Sequence, residues 1–400
     1  MKQTFQCRGR LFLALLGGFA VGLAGEPEVS FAGEPEVSLA GESGVGSDEG
    51  LSMADEAEDA FTIVIIPDTQ HYVGPGTKMS ETGKSHVQDY EASDYTRDHA
   101  AWQRQHDADA GVVANPYLQR HVEWILRNRD ALRIKFVSHV GDIVERNRPA
   151  EWRVASRHLD RLRGVVPFGL TVGNHDMEND GDASLFQSTF PASSFEPHQW
   201  YLASYQHDRS DRSVSRNNVN SVQKFRAGGI DFLFLHLECN APDDVLKWAN
   251  QTIAAHPHHR VLITTHMDLG VLERPKTSRG YIEDPKGRMR WSKIHGSRGN
   301  SGVDMWEKCY RLHPNLDFVF SGDQSRVTAL RISRPADDGH IVHALLSDYQ
   351  SLGAIRVLKF HPTASSVEVI TYDTALKRRV TQTPYAPDID QHHFTVTWPR

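Results

Sequence analysis

A polar triplet at the end of an apolar run contains the residue types of this chain that are best suited to metal binding or catalysis. The run Leu170-Thr-Val-Gly-Asn-His-Asp176 is interrupted at Gly173, where the backbone can turn sharply. An amide that can ligate a metal, an imidazole and a carboxylate that can orient the imidazole follow as Asn174, His175 and Asp176. A capped turn explains so short a motif equally well, so its meaning depends on the rest of the chain.

Other potential ligands also follow apolar runs. They are Asp68 and Gln70, then Asp142, His266 and Asp323. In open α/β sheets, ligands bind outside the carboxyl ends of strands. Taken singly, these residues can be turn formers, a helix N-cap or a hydrogen-bonded interior imidazole. Together they favour one site for hard cations such as Mn²⁺, Mg²⁺, Fe or Zn²⁺, in which an Asp between two ions can bridge them.

The hydrophobic pattern predicts which elements place these residues. Apolar, β-rich runs alternate with helical patterns in the first part of the chain, and strands lie closer together near the end. We predict helices at 116–132, 149–162, 243–255 and 303–313. We predict strands at 61–66, 134–140, 165–172, 230–237, 261–265, 317–321, 327–332, 341–347, 354–360, 367–372 and 394–397. This order favours an α/β fold with two packed sheets flanked by helices.

The N-terminal region has the composition of a leader and a tether. Residues 1–24 join a basic front to an apolar, small-residue run, which is typical of a secretory signal peptide, with an uncleaved anchor as the alternative. Residues 25–60 repeat Ala-Gly-Glu-Pro-Glu-Val-Ser and contain eleven Asp and Glu without Lys or Arg. They predict a disordered acidic linker, with a partner-binding segment as the alternative. The folded domain then spans 61–400.

The charge of the folded part is nearly balanced once the first 60 residues are set aside. It contains 41 Lys and Arg against 40 Asp and Glu, so the acidity of the chain belongs to the linker. We therefore expect no specific nucleic-acid binding, and no transmembrane segment in the mature chain.

The cysteines give no sign of a structural metal site. Cys7 precedes the apolar leader run, where no lipid would be attached, and no Cys-x-x-Cys pattern occurs. Cys239 and Cys309 could pair in an oxidising compartment, but two buried free thiols are the favoured interpretation.

The ordered motifs resemble those of the calcineurin-like metallophosphoesterases. The likeness extends from 61 to 372, and the late stretch Leu-Leu-Ser-Asp-Tyr-Gln350 resembles a secreted bacterial branch of the family. The motifs concerned are Pro67-Asp-Thr-Gln70, Gly141-Asp-Ile-Val-Glu145, Gly173-Asn-His-Asp176 and the strand-ending His266. The resemblance implies a four-layer α-β-β-α sandwich with two mixed sheets.

The resemblance also implies two divalent metal ions, of Mn, Fe, Zn or Mg, and a role for each motif residue. Asp68 would bind the first ion, with Gln70 in the same position, and Asp142 would bridge the two. The second ion would be bound by Asn174, His266 and Asp323, while His175, held by Asp176, would face the phosphate as the catalytic pair.

Two departures from the family pattern concern the metal ligands. The family usually has a histidine where this chain has Gln70, and its last motif reads Gly-His-x-His, whereas this chain has Gly322-Asp-Gln-Ser325. Asp323 can still ligate as a hard oxygen donor, or it can simply cap a turn. Gln70 and Ser325 are weak ligands, which puts the first ion in doubt. The neighbouring His71 either compensates or, as is more usual for a loop histidine, is exposed to solvent.

Two loops could shape the substrate site. The stretch Thr77 to Asn115 is long and polar, and it is either a lid or an excursion without function. Between Arg274 and Arg298 there are eight Lys and Arg against two acids, which gives either an anion-binding rim or a solvated basic loop.

Together with the leader-like N-terminus, the resemblance implies an exported phosphoesterase that uses metal-activated hydroxide on a phosphate mono- or diester. Its substrate would be a phosphorylated small molecule or polymer. The alternative, which the altered last motif favours, is a catalytically weak or inactive protein that binds a phosphorylated ligand on the same fold.

Overall fold

Two seven-stranded sheets form the centre of the fold in this computed structural model. The structure describes residues 51–82, 93–106, 111–178, 181–206, 216–269, 292–323, 328–349 and 352–398. The predicted signal peptide and residues 25–50 of the predicted linker lie outside these residues.

The first sheet is mixed. Its strands are β1 (Phe61–Ile66), β2 (Ile134–His139), β3 (Phe168–Leu170), β11 (Ala354–His361), β12 (Ser366–Asp373), β13 (Arg378–Arg379) and β14 (His393–Thr397). They lie in the order β13-β12-β11-β1-β2-β3, with β14 also paired to β12. Within this sheet, β1, β2 and β3 are parallel.

The second sheet is also mixed. Its strands are β4 (Tyr201–Ser204), β5 (Ser221–Ala227), β6 (Ile230–His236), β7 (Arg260–Thr264), β8 (Leu316–Ser321), β9 (Thr328–Pro335) and β10 (Ile341–Asp348). They lie in the order β4-β5-β6-β7-β8-β10-β9, and the run from β6 through β7 and β8 to β10 is parallel.

Helices cover the outer faces of both sheets. They are α1 (Lys78–Thr82), α2 (Asp94–His106), α3 (Pro116–Asn128), α4 (Pro149–Leu159), α5 (Ser184–Thr189), α6 (Asp243–Ala254), α7 (Ser292–His295) and α8 (Gly302–Lys308). Apolar side chains of α3, α4 and α5 share a core with β1, β2 and β3, and those of α6 and α8 share another with β6, β7 and β8.

A third core, rich in phenylalanine, fills the space between the sheets. Alternation along β1 explains how one strand serves two cores: Phe61, Ile63 and Ile65 face the other sheet, whereas Val64 and Ile66 face the helices. Because both faces are buried, the strand is apolar throughout. Helix, sheet, sheet and helix layers therefore follow one another, which confirms the predicted four-layer α-β-β-α sandwich.

The periodic segments fold as predicted, with shifts of a few residues at their ends. The third strand, predicted at 165–172, is only Phe168–Leu170 long. The helix from Pro116 begins where predicted, because proline occupies its first turn and the Asn115 side chain accepts a hydrogen bond from the backbone N–H of Leu118 at 2.9 Å. Sequence patterns missed α1, α2, α5, α7, β4, β5 and β13.

The end of the predicted linker is part of the fold, which corrects the boundary at residue 60. Leu51 and Met53 are buried in the core beneath the helices. Arg133 donates to the backbone carbonyls of Met53 and Ala57, and the Lys359 ammonium donates to that of Ser52 at 3.0 Å. The acidic composition concealed two apolar anchors that the domain buries.

The insertion between Thr77 and Asn115 contributes a packed helix. In α2, Tyr95, His99 and Trp102 are buried. The imidazole Nε2 of His99 lies 2.5 Å from a carboxylate oxygen of Asp373, at the end of β12. Within its described part, the insertion is thus attached to the core.

Cys239 and Cys309 are both free and buried, which confirms the prediction of two unpaired thiols. Among the helices of the described residues, none has the length and apolar character needed to span a bilayer.

Candidate functional site

The predicted site residues meet at one edge of the sandwich. Asp68 follows β1, Asp142 follows β2 and the Asn174-His175-Asp176 triplet follows β3. His266 and Asp323 follow β7 and β8 of the opposite sheet. Because these strands run parallel within each sheet, their carboxyl ends deliver all of these side chains to the same place.

A buried donor cluster lies at the centre of this edge. Ligand atoms of Asp68, Asp142 and His266 lie within 4.8 Å of one another. Among the described residues, the buried Oδ1 atom of Asp68 has no hydrogen-bond partner, although an unpaired buried carboxylate oxygen is costly. A divalent cation would satisfy that oxygen, so the residues present fit a metal ion.

The His266 ring is fixed by the backbone. Its Nδ1 lies 2.9 Å from the carbonyl oxygen of Val140, and because a carbonyl only accepts, Nδ1 must carry the proton. Nε2 then points at oxygens of Asn174 at 3.1 Å, Asp142 at 3.2 Å and Asp323 at 3.7 Å. A ring nitrogen among three oxygens needs either a second proton or a shared cation.

The electrostatics of the cluster follow the same logic. Burial alone would lower the pKa of His266, but Asp142, Asp323 and Asp68 raise it well above its usual range. Burial raises the pKa of Asp68 well above its usual range, and the carboxylates of Asp348, Asp142 and Asp323 act in the same direction. The carboxylates at this edge therefore outnumber the single positive charge that the His266 imidazole could carry to neutralise them.

Asp142 is the best-connected ligand candidate. The Gln70 amide donates to its Oδ2 at 2.9 Å, and the backbone N–H of His175 donates to its Oδ1 at 2.9 Å. Burial favours a higher pKa, but His266 and His175 outweigh it, and the pKa of Asp142 is lowered to about 2. Asp142 is thus ionised in the folded protein, which is the state in which a carboxylate binds a cation.

Gln70 lies in the site but faces Asp142 through its nitrogen. An amide nitrogen that donates a hydrogen bond is not a metal ligand, whereas the amide oxygen would be. As placed, Gln70 orients Asp142, and its role as a ligand stays a prediction.

Two motif glycines provide close approach. Gly173 does not have a positive φ, but the chain does turn after it, because the backbone N–H of Asp176 donates to the carbonyl oxygen of Gly173 at 3.2 Å. A Cβ at Gly173 would strike the amide and the carboxylate of Asp142, and a Cβ at Gly322 would strike the carboxylate of Asp68. Any side chain at either position would displace a ligand candidate.

The positive φ angles of this motif set lie elsewhere. Asp142 has φ +50° and Asp323 has φ +62°, a left-handed conformation that non-glycine residues rarely adopt. Strain of this kind concentrates at functional sites when the surroundings enforce it.

The structure corrects the predicted pairing of His175 with Asp176. Nδ1 of His175 lies 2.8 Å from the carbonyl oxygen of Glu145 and donates to it, so the backbone orients the ring and Nε2 faces away. Burial alone would lower the pKa of His175, but Asp142 and Glu145 raise it.

Asp176 holds the motif loops together. Its carboxylate accepts hydrogen bonds from the backbone N–H groups of Gly173 at 2.8 Å, Val144 at 3.0 Å and Ile143 at 3.2 Å. It therefore ties the loop after β3 to the loop after β2. Burial, followed by the nearby Asp142, raises the pKa of Asp176 to about 7.

Asp323 faces the cluster from the second sheet. Its backbone N–H donates to Oδ2 of Asp68 at 3.2 Å, and its carboxylate is the one that lies 3.7 Å from Nε2 of His266. Burial raises its pKa, which His266 opposes. Ser325 lies outside the described residues, and so does most of the basic loop between Arg274 and Arg298.

His71 is buried, contrary to the expectation of a solvent-exposed loop histidine. Its ring packs edge-on against Tyr117 with 5.0 Å between the centroids. This places it against α3.

Two groups near the edge escaped the sequence-based site. Asp348 is buried at the end of β10, and the predicted strand at 341–347 could have identified it by the same strand-end rule. After β6, Glu238 lies 3.2 Å from Nε2 of His295, a contact between residues 57 positions apart that no local pattern indicates.

A groove of about 870 Å³ lies at the opposite edge, where β2, β3, β6 and β7 begin. Its lining includes Arg133, Trp200 and Lys224, and none of the predicted site residues. We therefore assign the candidate site to the donor cluster, although this groove is large.

Two mixed sheets between helices, with a cation-fitting cluster at their carboxyl edge, define an α/β fold of the metallophosphoesterase type. The family model for calcineurin-like phosphoesterases matches residues 61–326. The chain belongs to the calcineurin-like phosphoesterase family.

One curated relative is the uncharacterized protein YvnB of Bacillus subtilis (strain 168), which is 26% identical over 287 residues. The alignment covers 68% of this chain and 20% of YvnB, so the chain spans about a fifth of the length of this relative.

Solved structures with a similar fold are more distant in sequence. The Haemophilus influenzae NAD nucleotidase is 10% identical with a TM-score of 0.40, covering 76% of this chain and 48% of that one. The 5'-nucleotidase precursor of Thermus thermophilus is 11% identical with a TM-score of 0.41, covering 80% and 53%. Plasmodium GAP50, the anchor in the inner membrane complex, is 8% identical with a TM-score of 0.39, covering 86% and 89%. Likeness at this level carries no argument about substrate.

Proposed function

We propose that this chain is an exported, metal-dependent phosphoesterase that hydrolyses a phosphate mono- or diester. The observation that carries the proposal is the buried cluster of Asp68, Asp142 and His266, whose ligand atoms lie within 4.8 Å of one another in a chain of this family. Carboxylate and imidazole donors at that spacing suit a divalent cation.

The protein's part in the reaction is to hold and orient. Divalent cations, when bound, supply activation of a water and neutralisation of charge on the phosphoryl oxygens. Asp68 and Asp142 would hold the first ion, and Asn174 and His266, with Asp323, would hold the second. Gln70 keeps the Asp142 carboxylate in place through its hydrogen bond at 2.9 Å.

His175 is the group assigned to the phosphate. Because its Nδ1 is occupied by the Glu145 carbonyl, Nε2 is the nitrogen left to contact a phosphoryl or leaving oxygen. From there it can hold a proton for the leaving group or stabilise the developing charge. Asp176 acts one step back, by fixing the backbone on which His175 sits.

Export is supported by the composition of residues 1–24. The mature chain is expected to begin near Gly25. Mass spectrometry of the N-terminus of the exported protein tests this, and a purified protein that retains residues 11–24 would overturn it.

The alternative function is a phospho-ligand binding protein without significant turnover. Two observations favour it: Gln70 presents its nitrogen toward Asp142, and Asp323 stands where the family has an imidazole. Such a protein would bind cations and a phosphorylated ligand and release the ligand unchanged.

Metal analysis combined with turnover separates the two functions. The protein is incubated with Mn²⁺, Mg²⁺ or Zn²⁺, and hydrolysis of a chromogenic phosphomonoester and phosphodiester is followed with and without a chelator. The proposal expects bound metal and turnover that the chelator abolishes. Bound metal with a bound but intact phosphoester would establish the alternative, and the absence of bound metal would exclude both metal-dependent forms.

A further inference from the structure

Asp348 is a buried carboxylate at the same edge as the donor cluster. It is the last residue of β10 and is 1% exposed. β10 runs parallel to β8, with Leu346 opposite Ser321, so that Asp348 and Asp323 each follow two residues later. The two adjacent strands therefore end in carboxylates at the same level.

Asp68 approaches these strand ends from the other sheet. Gly322, between Ser321 and Asp323, is so close to Asp68 that a Cβ would strike its carboxylate. The backbone N–H of Asp323 donates to Oδ2 of Asp68 at 3.2 Å, which leaves Oδ1 without a hydrogen-bond partner in the described part of the chain. The carboxyl ends of β1, β8 and β10 thus bring carboxylates to the same edge of the sandwich.

The electrostatic environment agrees with this convergence. After burial, the charge that raises the pKa of Asp68 most is the carboxylate of Asp348, ahead of Asp142 and Asp323. Asp348 also raises the pKa of Asp323. Carboxylates buried at one edge repel one another, and a divalent cation between them would relieve that repulsion.

We propose that Asp348 is an additional metal ligand, which holds a divalent cation together with Asp68 at the first metal position. The inference rests on the proposed function. It accounts for the two departures in that position, because a carboxylate from β10 supplies a donor where Gln70 and Ser325 are weak. Oxygen donors direct the position toward Mn²⁺ or Mg²⁺ and away from Zn²⁺.

Metal binding by Asp348→Asn tests the proposal without any reference to activity. Asn keeps the shape of the side chain and removes the charge. Equilibrium dialysis with Mn²⁺, followed by elemental analysis, is expected to show that the weaker-bound equivalent loses affinity by about tenfold or more, given the sensitivity of metal sites to their ligands and supporting residues.

Asp268→Asn is the matched control. Asp268 is equally buried and lies two residues after His266, but its carboxylate faces the Arg334 guanidinium at 3.7 Å. Its substitution should leave Mn²⁺ stoichiometry and affinity at wild-type values. Circular dichroism and the melting temperature without metal show whether each variant is folded.

The outcomes separate this inference from the proposed function. If the wild type binds no divalent cation, the proposed function fails and the inference with it. If the wild type binds Mn²⁺ and folded Asp348→Asn binds it equally well, only the inference is overturned.

A crystal structure of the wild type grown with Mn²⁺ decides the matter independently, including the case in which the variant fails to fold. An anomalous peak bonded to the Asp348 carboxylate supports the proposal. Peaks bonded only to the other ligand candidates overturn it.

Discussion

At the scale of single residues, the two site histidines are oriented in the same way, but their Nε2 atoms have different surroundings. Both donate Nδ1–H to a backbone carbonyl, His266 to Val140 and His175 to Glu145. A carbonyl partner fixes the tautomer, so both rings offer Nε2. Three oxygens surround that nitrogen in His266, whereas His175 is half-buried and its Nδ1 is occupied by the Glu145 carbonyl. One imidazole therefore suits a metal and the other suits a phosphate.

His175→Ala should leave the metal content unchanged and slow turnover by roughly 10²-fold or more, as expected for a general acid or a charge stabiliser. The measurement is kcat on a chromogenic phosphoester together with elemental analysis. His198→Ala is a suitable control, because His198 stacks on Trp200 beside the groove at the opposite edge. Unchanged kcat in His175→Ala would show that the assigned role is wrong.

Asp176→Ala should reduce stability more than it alters any property of the His175 ring. Its carboxylate accepts from three backbone N–H groups, of Gly173, Ile143 and Val144, and unsatisfied buried donors cost about 1–3 kcal/mol each. Urea unfolding is therefore expected to show a loss of about 3 kcal/mol or more. A variant as stable as the wild type would contradict the assignment of Asp176 as the residue that holds the two loops together.

Asp323 can be tested in a way that separates its side chain from its backbone. Asp323→Ala removes the carboxylate but leaves a Cβ at φ +62°, whereas Asp323→Gly removes the carboxylate and relieves that strain. If Asp323 is a ligand, both variants should lose metal from the second position. If it only caps a turn, both should keep full metal content by elemental analysis.

At the scale of elements, the segment before β1 acts as an apolar clasp. Leu51 and Met53 are buried against the helix-covered side of the first sheet, and Arg133 and Lys359 bind the backbone of this segment. Burial of each such side chain contributes about 1.5–3 kcal/mol. The folded unit therefore needs residues that composition alone assigns to a linker.

Truncation should reveal this clasp. A chain that begins at Leu51 should have the melting temperature of the wild type. A chain that begins at Phe61 should be less stable by about 3–6 kcal/mol, because it lacks Leu51 and Met53. Thermal unfolding of the two chains gives the comparison. Equal melting temperatures would restore the linker boundary at residue 60.

The helix α2 has an equally concrete attachment. His99 pairs with Asp373 from the end of β12, and Trp102 packs against Tyr117 of α3 with 4.6 Å between ring centroids. At the start of the insertion, Lys78 lies 2.8 Å from the carboxylate of Glu145, the residue whose carbonyl holds His175. The insertion is thus connected to the catalytic edge through its first helix.

At the scale of the whole molecule, several histidines are buried as neutral groups. Burial lowers the pKa of His236 to about 3, of His392 to about 3 and of His121 to about 4. An unfolded histidine titrates at about 6.5. Below that pH the unfolded chain binds protons that the folded protein rejects, so stability is retained above pH 6.5 and is lost as the pH falls.

Through these histidines, acid should therefore weaken the fold at a pH above the range in which carboxylates of ordinary pKa titrate. At pH 5.5 each of these histidines removes about 1.4 kcal/mol of stability, from one pH unit below the unfolded pKa. Urea unfolding between pH 7.5 and 5 measures the slope. His236→Gln should make the slope shallower by about one proton, and a slope that is unchanged in this variant would contradict the assignment.

The sequence by itself determined the layers and the edge at which the chemistry lies. Continuous apolar runs such as Phe61–Ile66 identify strands buried on both faces, and polar residues at their carboxyl ends identify the site. These inferences need only neighbours in sequence, because side-chain periodicity and strand direction are local properties. Asp68, Asp142 and His266 could be assembled in this way before any contact was known.

Only the tertiary structure decided which hydrogen-bond partner each site residue has. The partner of His175 is a carbonyl 30 positions away, and Asp176 binds a loop more than 30 positions away. The linker boundary failed for the same reason, since the burial of Leu51 depends on a surface made by distant helices. Hydrogen bonds and burial between segments far apart in the chain are properties of the packed sheets, and local composition does not contain them.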